Sequence, residues 1–346
     1  MLYYKNLEEI LFNRHEIVSE EPDEFVIISG YIGPYPIERL SELPMKTTVI
    51  GGMYSGGINA RLLNSLNTSK SKNKNLSILF SKEEIHSKIY IWKKDGKILN
   101  ALIGSANFSS NGLRTDYRES LADATRDTYA PLEEYYQYII SGSSEEPILS
   151  NKQLVIDFSK TPLALEKPKV EIKYTYDIPL FSHSQKEGEY VNTESGLNWG
   201  LARFNGSHVA PGDAYIRLPK DILKDNQGLL EPFDREFETP QGKRKRSSAP
   251  IEVIWDDGTI MPASLEGIQK YKGLNYPKQL ASYSSRTPYL DGQRISKKSI
   301  LGRYLRKRLG IELDDLITIQ TLEKYGRKTI TLSLIETGVY YADFSV

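Results

Sequence analysis

The chain has 346 residues, with 45 Lys and Arg balanced by 45 Asp and Glu, four His and no Cys, a length that suits about two domains. No stretch approaches the roughly 18 apolar residues of a membrane span, and the opening Met1-Leu2-Tyr3-Tyr4-Lys5-Asn6-Leu7-Glu8-Glu9 lacks the basic-then-apolar order of a signal peptide. Zero Cys excludes a disulfide framework, a thiolate metal site and a cysteine nucleophile, and a cytoplasmic protein is expected.

From the N-terminus, helix and strand signals alternate. Tyr3 to Ile17 carries apolar residues at helical spacing (Leu7, Ile10, Leu11, Ile17) before Glu20-Glu21-Pro22-Asp23 breaks the pattern. Phe25 to Ile28, Thr47 to Ile50 and Leu76 to Phe80 read as buried strands, with Ile58 to Leu66 as a crossover helix that ends in a polar Ser/Lys/Asn run. His86 to Trp92 alternates, Ser87, Ile89 and Ile91 facing away from His86, Lys88, Tyr90 and Trp92. Ile98 to Ile103 is the next strand, with Lys93-Lys94-Asp95-Gly96 as the turn between them. Leu132 to Ile140 reads as a helix, so residues 1–170 form a mixed α/β domain. An irregular linker covers about 142–185. Residues 171–346 are rich in short strands (Ala214 to Leu218, Ile251 to Trp255, Ile317 to Gln320, Thr329 to Ile335), interrupted by a basic helix from Ser296 to Leu309. That pattern suggests a small β-barrel-like domain.

The balanced total charge is uneven along the chain. Residues 241–308 hold 15 Lys and Arg against 5 Asp and Glu, a net of +10, and a section of that sign is where a polyanion would be held.

Chemistry concentrates in His86-Ser87-Lys88 and Gly104-Ser105-Ala106-Asn107. Residues two apart on a strand share a face, so His86 and Lys88 project together, and the small residues of the second segment leave room for a ligand near Ser105 and Asn107. An ammonium, a hydroxyl and an amide make a phosphate cradle, and a neutral imidazole can attack phosphorus to give a phosphohistidine. Alone, His-x-Lys is usually a solvated strand face and Gly-Ser-x-Asn a turn. Together, on adjacent strands and followed by an acid, they point to a phosphodiester site. His15 lies in a surface helix pattern, His183 in the linker and His208 in a loop, and no His/Asp/Glu spacing resembles a metal cage. No metal and no cofactor are expected.

His86-x-Lys88 with Gly104-Ser105-Ala106-Asn107-Phe108-Ser109 resembles the HKD motif of the phospholipase D superfamily. The Asp of the conventional motif, four residues after the Lys, is Trp92 here, and that acid-less form belongs to the nuclease branch. The resemblance implies that His86 is the nucleophile, that Lys88, Ser105 and Asn107 bind phosphate, and that an acid beyond the Asn orients the His. Glu119 is assigned that role, with Asp116 as the other candidate. Members need two His/Lys pairs, one to attack and one to protonate the leaving oxygen. A chain with one pair is therefore expected to form a twofold homodimer around one active site.

In the second domain two polar runs mix amide, basic and aromatic groups: Asn198-Trp199-Gly200-Leu201-Ala202-Arg203-Phe204-Asn205 and Asn275-Tyr276-Pro277-Lys278-Gln279-Leu280-Ala281-Ser282-Tyr283. Arg reads guanine and Asn or Gln reads adenine, while Lys and Ser hold phosphates. The candidates for DNA contact are Asn198, Trp199, Arg203, Asn205, Arg217, Lys278, Gln279, Ser282 and Tyr283. Lys243-Arg244-Lys245-Arg246 reads as a loop or a phosphate clamp. Ser195 to Gly200, Ala214-Tyr215-Ile216, Tyr276-Pro277-Lys278-Gln279, Ile300 to Arg306 and Leu322 to Arg327 are similar to the C-terminal half of NgoFVII-type (BfiI/NgoAVII-like) restriction endonucleases. That resemblance implies a B3-like pseudobarrel gripping the major groove with two arms, residues 195–217 and roughly 255–286.

The expected protein is a Type II site-specific deoxyribonuclease, with a phospholipase D-like α/β domain at 1–170 followed by a β-rich B3-like domain at 171–346. It would hydrolyse double-stranded DNA without a metal. The resemblance further implies a cognate methyltransferase, and in some relatives a separate ATP-dependent helicase-like subunit. Two rivals remain at this level. A lipid phosphodiesterase should show two HKD copies or an apolar membrane-facing surface, and a DNA-binding protein with an inactive nuclease domain would not hydrolyse a generic phosphodiester.

Overall fold

The computed structural model describes residues 1–150, 174–186, 188–202, 208–224, 228–233, 248–284 and 286–346. The chain divides into two units, Met1–Lys152 and Gln153–Val346, where a boundary near 170 was expected.

An apolar run without alternation needs cover on both faces, which a central strand of a helix-flanked sheet provides. Glu24–Ser29 is such a strand, buried from Phe25 onward. In chain order the first unit comprises β1 (Leu2–Tyr3), α1 (Leu7–Asn13), β2 (Glu24–Ser29), α2 (Pro34–Arg39), β3 (Lys46–Gly51), α3 (Ala60–Lys72), β4 (Leu76–Ser81), β5 (Lys88–Lys94), β6 (Lys97–Gly104), α4 (Ser110–Leu113), β7 (Leu121–Asp123), α5 (Tyr129–Ser141) and β8 (Ser143–Ser144). Its eight-stranded sheet runs β1-β7-β6-β5-β2-β3-β4-β8. Only the β2–β3 and β3–β4 pairs are parallel. One face packs Val26, Ile28, Ile50, Ile89 and Ile91 against Leu132, Tyr136 and Ile139 of α5. On the other, Phe25 stacks on Trp92 with ring centroids 4.6 Å apart. Asp95 and Gly96 both have positive φ (48° and 73°), the backbone that a two-residue hairpin turn requires.

Several boundaries differ from those expected. Tyr3 is in a strand, and the first helix is only Leu7–Asn13, followed by a 3-10 turn at Arg14–Glu16. The crossover helix starts later and continues through the polar run to Lys72, capped by the Asn59 side chain accepting from the Arg61 N–H. The strand expected from His86 begins at Lys88. Lys88 pairs with Ser29, the last residue of β2, so His86 and Ser87 have no partner strand. The expected alternation holds nevertheless, since Ser87 turns toward α5 and its Oγ lies 2.7 Å from the Tyr135 hydroxyl.

The second unit comprises β9 (Thr175–Pro179), β10 (Ile216–Arg217), β11 (Ser248–Trp255), β12 (Ile260–Glu266), β13 (Gln279–Ser282), α6 (Ser299–Leu309), α7 (Ile319–Tyr325), β14 (Thr329–Glu336) and β15 (Val339–Asp343), with small ribbons and turns between them. The seven-stranded sheet runs β9-β14-β15-β11-β12-β13-β10, and its β11–β15 pair is parallel. Ile178 from one edge strand and Ile216 from the other line the same interior, with Val253, Trp255, Leu280, Ile330, Leu332 and Ala342. The sheet therefore curls until its two edges share one core, a nearly closed barrel. The strand expected at Ile317 to Gln320 is instead the start of a helix. Thr318 accepts from the Thr321 N–H and closes a capping box, which commits the backbone to a helical turn. Parts of the expected linker also belong to the units. Ser143–Ser144 extends the first sheet, Leu149–Ser150 pairs with Ile58–Asn59, and Thr175–Pro179 is an edge strand of the barrel. Among the described residues no helix is long and apolar enough to cross a membrane.

Candidate active site

The site forms where β2 stops. Beyond Ser29 the chain turns across the sheet end through Gly30 and Tyr31, and this turn is stitched to the segment after β6. Ile32 bridges Phe108, and the Gly33 N–H donates to the Phe108 carbonyl at 2.8 Å. Ser29, fully buried, joins both sides: its hydroxyl donates to the Tyr31 carbonyl at 2.6 Å and accepts from the Phe108 N–H at 2.9 Å. The His86 loop lies on Gly52, where a Cβ would stand 1.9 Å from the Ile85 carbonyl oxygen.

His86, Lys88 and Asn107 meet over Gly30. A Cβ at that glycine would be 3.1 Å from His86 Cδ2, 3.3 Å from Lys88 Nζ and 3.3 Å from Asn107 Oδ1. An imidazole, an ammonium and an amide thus surround one point. Gly30→Ala is expected to keep the fold and lose up to about 10²-fold in kcat/KM, the penalty that a misplacement of about 1 Å in a reacting group can carry. Thermal melting beside steady-state kinetics would check both halves.

Each group is held differently. Lys88 is buried, and its Nζ donates to the His86 carbonyl at 2.5 Å. Burial pushes its pKa below the ordinary lysine value, and the negative charge of Glu119 opposes that fall. Asn107 Oδ1 accepts from the Tyr31 N–H at 3.2 Å, which fixes the amide flip and leaves its NH₂ as the end that donates to a phosphate oxygen. Tyr90, fully buried, donates to the Ala106 carbonyl at 2.7 Å; burial, aided by the charge of Glu119, raises its pKa well above the ordinary value. His86 itself is exposed at the mouth.

Ser105 is exposed and hydrogen-bonded to the acidic segment. Its N–H donates to the Ser120 carbonyl at 3.0 Å, and its Oγ accepts from the Ser120 N–H at 3.1 Å. Gly104 permits that approach, since a Cβ there would lie 2.0 Å from the Ser120 oxygen. The two candidate acids separate clearly. Glu119 is half-buried and acts on Lys88 and Tyr90. Asp116 accepts from the Asn6 N–H at 3.0 Å and is engaged with the N-terminal segment. Removing the Glu119 charge lets the Lys88 pKa fall further. Glu119→Gln should therefore move the alkaline limb of the kcat/KM profile to lower pH, as a pH–rate comparison with wild type would show.

Ser29, Gly30, Tyr31 and Tyr90 were not among the expected site residues. The signal available was the Ser-Gly that follows the apolar strand Phe25 to Ile28, small residues at a strand's C-terminal end. Among the described residues no group of three His, Asp or Glu comes together to hold a metal.

The candidates for DNA contact divide by burial. Asn198 is fully buried; its amide donates to the Asn192 and Ile317 carbonyls, and its oxygen accepts from the Ile317 N–H and from Arg306. Ser282 is also fully buried, donating to the Lys297 carbonyl and accepting from the Leu301 N–H. Both side chains are thus engaged in hydrogen bonds inside the second unit. Trp199, half-buried, packs edge-on against Tyr215 at 5.8 Å. Arg217 and Lys278 are exposed, while Gln279 and Tyr283 are half-buried. Arg217 pairs in register with Gln279, so their side chains share a face. Arg203, Asn205 and Lys243-Arg244-Lys245-Arg246 lie outside the described residues.

The basic section also spends part of its charge internally. Arg306 is 2% exposed and donates to the Leu197 and Asp315 carbonyls as well as to Asn198. Arg308 forms a bidentate pair with Asp256 at 3.1 and 2.9 Å, and Lys298 pairs with Glu266. Asp256 and Glu266 already enter the net +10, so of these three cations only the buried Arg306 is withdrawn from what faces a polyanion.

Residues 5–156 match the family model described as the NgoFVII restriction endonuclease N-terminal PLD domain. Residues 172–336 match the one described as the NgoFVII C-terminal B3-like DNA-binding domain. No curated protein matches the chain. Among solved structures, NucT from Helicobacter pylori is 19% identical, covering 41% of this chain and 96% of that chain with a TM-score of 0.31. Nuc from Salmonella typhimurium, titled a phospholipase D family member, is 11% identical over 41% of this chain and 90% of its own, with a TM-score of 0.26. A phosphatidylserine synthase from Haemophilus influenzae Rd KW20 is 14% identical over 42% of this chain and 38% of its own, with a TM-score of 0.32. The two family models follow one another along nearly the whole sequence, and the chain belongs to the NgoFVII restriction endonuclease family, with a phospholipase D-like nuclease domain followed by a B3-like DNA-binding domain.

Proposed function

We propose that this protein is a Type II restriction endonuclease that reads a short duplex sequence with its second domain and cuts through a phosphohistidine on His86, without a metal. The observation that carries the reading is the convergence of His86, Lys88 and Asn107 over Gly30. Lys88 neutralises a non-bridging phosphate oxygen, the Asn107 NH₂ and the Ser105 hydroxyl donate to the others, and Glu119 keeps Lys88 charged and orients His86.

In the first step an imidazole nitrogen of His86 attacks phosphorus in line. The P–N bond forms as the P–O bond to the leaving strand breaks, and the departing oxygen takes a proton from a second imidazole. In the second step water attacks the phosphohistidine, the P–N bond breaks, and the second imidazole recovers its proton. Each chain carries one His-x-Lys set, so the second imidazole is the same histidine of another copy, and the active enzyme is a homodimer with one site. One site meets one strand at a time, so the two strands are cut in sequence.

Arg217, Lys278, Gln279 and Tyr283 are the residues proposed for DNA contact. Arg203 and Asn205 join them on sequence grounds, and Trp199, packed against Tyr215, precedes them in the chain. A nuclease of this kind also needs a companion activity that protects the host's own sites, for which a methyltransferase is the fitting partner.

Incubating unmethylated plasmid with the protein in EDTA tests the reading. Discrete fragments are expected. A smear would contradict sequence reading, and cutting only after Mg²⁺ is restored would contradict the metal-free route. Cutting that appears only on adding ATP and a helicase-like subunit would assign the protein to a larger assembly.

A further inference from the structure

Resting on that nuclease reading, we propose that Tyr31 is the stacking surface for the base next to the scissile phosphate, giving the nuclease domain a sequence-neutral grip on the strand it cuts. Tyr31 follows Gly30, over which the three reacting groups meet, and it is 37% exposed although Ser29 and Ile32 on either side are fully buried. Its ring stands edge-on to His86 with centroids 6.5 Å apart, and edge-on to Tyr54 on another side at 6.1 Å.

The mount is rigid. Tyr54 is buried, and its hydroxyl accepts from the Ile32 N–H at 3.1 Å. The backbone of Tyr31 is held at both ends, its N–H by Asn107 Oδ1 and its carbonyl by the Ser29 hydroxyl. The residue that fixes the Asn107 amide is thus the residue that presents the exposed ring, so a base seated on Tyr31 and a phosphate seated over Gly30 are registered to each other by one turn of chain. A preorganised aromatic beside the phosphate costs no ordering on binding. Stacking also suits a domain that does no reading, because every base has a π-face and the contact tolerates sequence.

A cycle of two changes tests this. One is Tyr31→Ala with Tyr31→Phe beside it; the other is an abasic nucleotide placed next to the mapped scissile phosphate in a duplex substrate. Wild type should lose about ten- to a hundred-fold in kcat/KM on the abasic duplex, the size of one base–aromatic stack. Tyr31→Ala should lose a similar factor on the intact duplex and nothing more on the abasic one, while Tyr31→Phe should match wild type on both. Losses that multiply, or a Tyr31→Phe variant as poor as Tyr31→Ala, would overturn the assignment, and the wild-type abasic arm reads it even if the alanine variant does not fold. A wild type that cuts no intact duplex would instead overturn the nuclease reading.

Discussion

His86→Ala should abolish cleavage, with a loss of at least about 10⁴-fold in kcat, the scale seen when a nucleophile is removed from a site whose groups act as a unit. Its melting temperature should stay at the wild-type value, since His86 is exposed and surface substitutions away from packed features stay within about 0.5 kcal/mol. DNA binding should survive too, because reading is assigned to the other domain. The remaining histidines provide the contrast. His15, His183 and His208 carry no His-x-Lys pattern, so alanine at each should leave cleavage intact. Cleavage assays on the four variants, with melting curves and band shifts, separate a chemical role for His86 from a structural one.

The second large effect is on stability. Asn198→Ala removes a buried amide that donates to two carbonyls and accepts from the Ile317 N–H and Arg306. Buried partners left without hydrogen bonds each cost about 1–3 kcal/mol, so a total of roughly 3 kcal/mol is expected. At about 2–4 °C per kcal/mol for a domain of this size, melting should fall by roughly 6–12 °C. Arg217→Ala makes the comparison. It is exposed on an edge strand, so its loss should leave melting unchanged, weaken DNA binding and shallow the salt dependence by about one charge. If Asn198→Ala weakened DNA binding with no change in melting, the structural assignment would be wrong and base contact would account for the residue instead.

The contrast between these residues shows what a linear sequence displays. Strand patterns at Phe25 to Ile28 and Thr329 to Ile335 were legible because burial on both faces, or on one, leaves a periodic signature, and Asp95-Gly96 because few residues accept positive φ. The pair His86 and Lys88 was legible because both sit on one short segment. Gly30 and Tyr31 were not, since they come from a strand some 56 residues earlier whose register against β5 decides that Ser29 meets Lys88. Asn198, Arg306 and Ile317 likewise meet only through the barrel fold. In the sequence, a buried amide pin and a base-reading amide are the same letter. Ile317 to Gln320 looked like a strand because its β-branched residues outweigh a capping threonine until the Thr321 partner is seen.

Cleavage is proposed to pass through a covalent phosphohistidine on His86. The most direct test of that intermediate is to mix the protein with duplex carrying ³²P at the scissile phosphate, in EDTA, quench with denaturant and digest the chain. Label retained on the peptide containing His86, stable to base and lost in acid as a P–N bond requires, is the expected result. Efficient cleavage with no label on any peptide, or label on a peptide lacking His86, would contradict it.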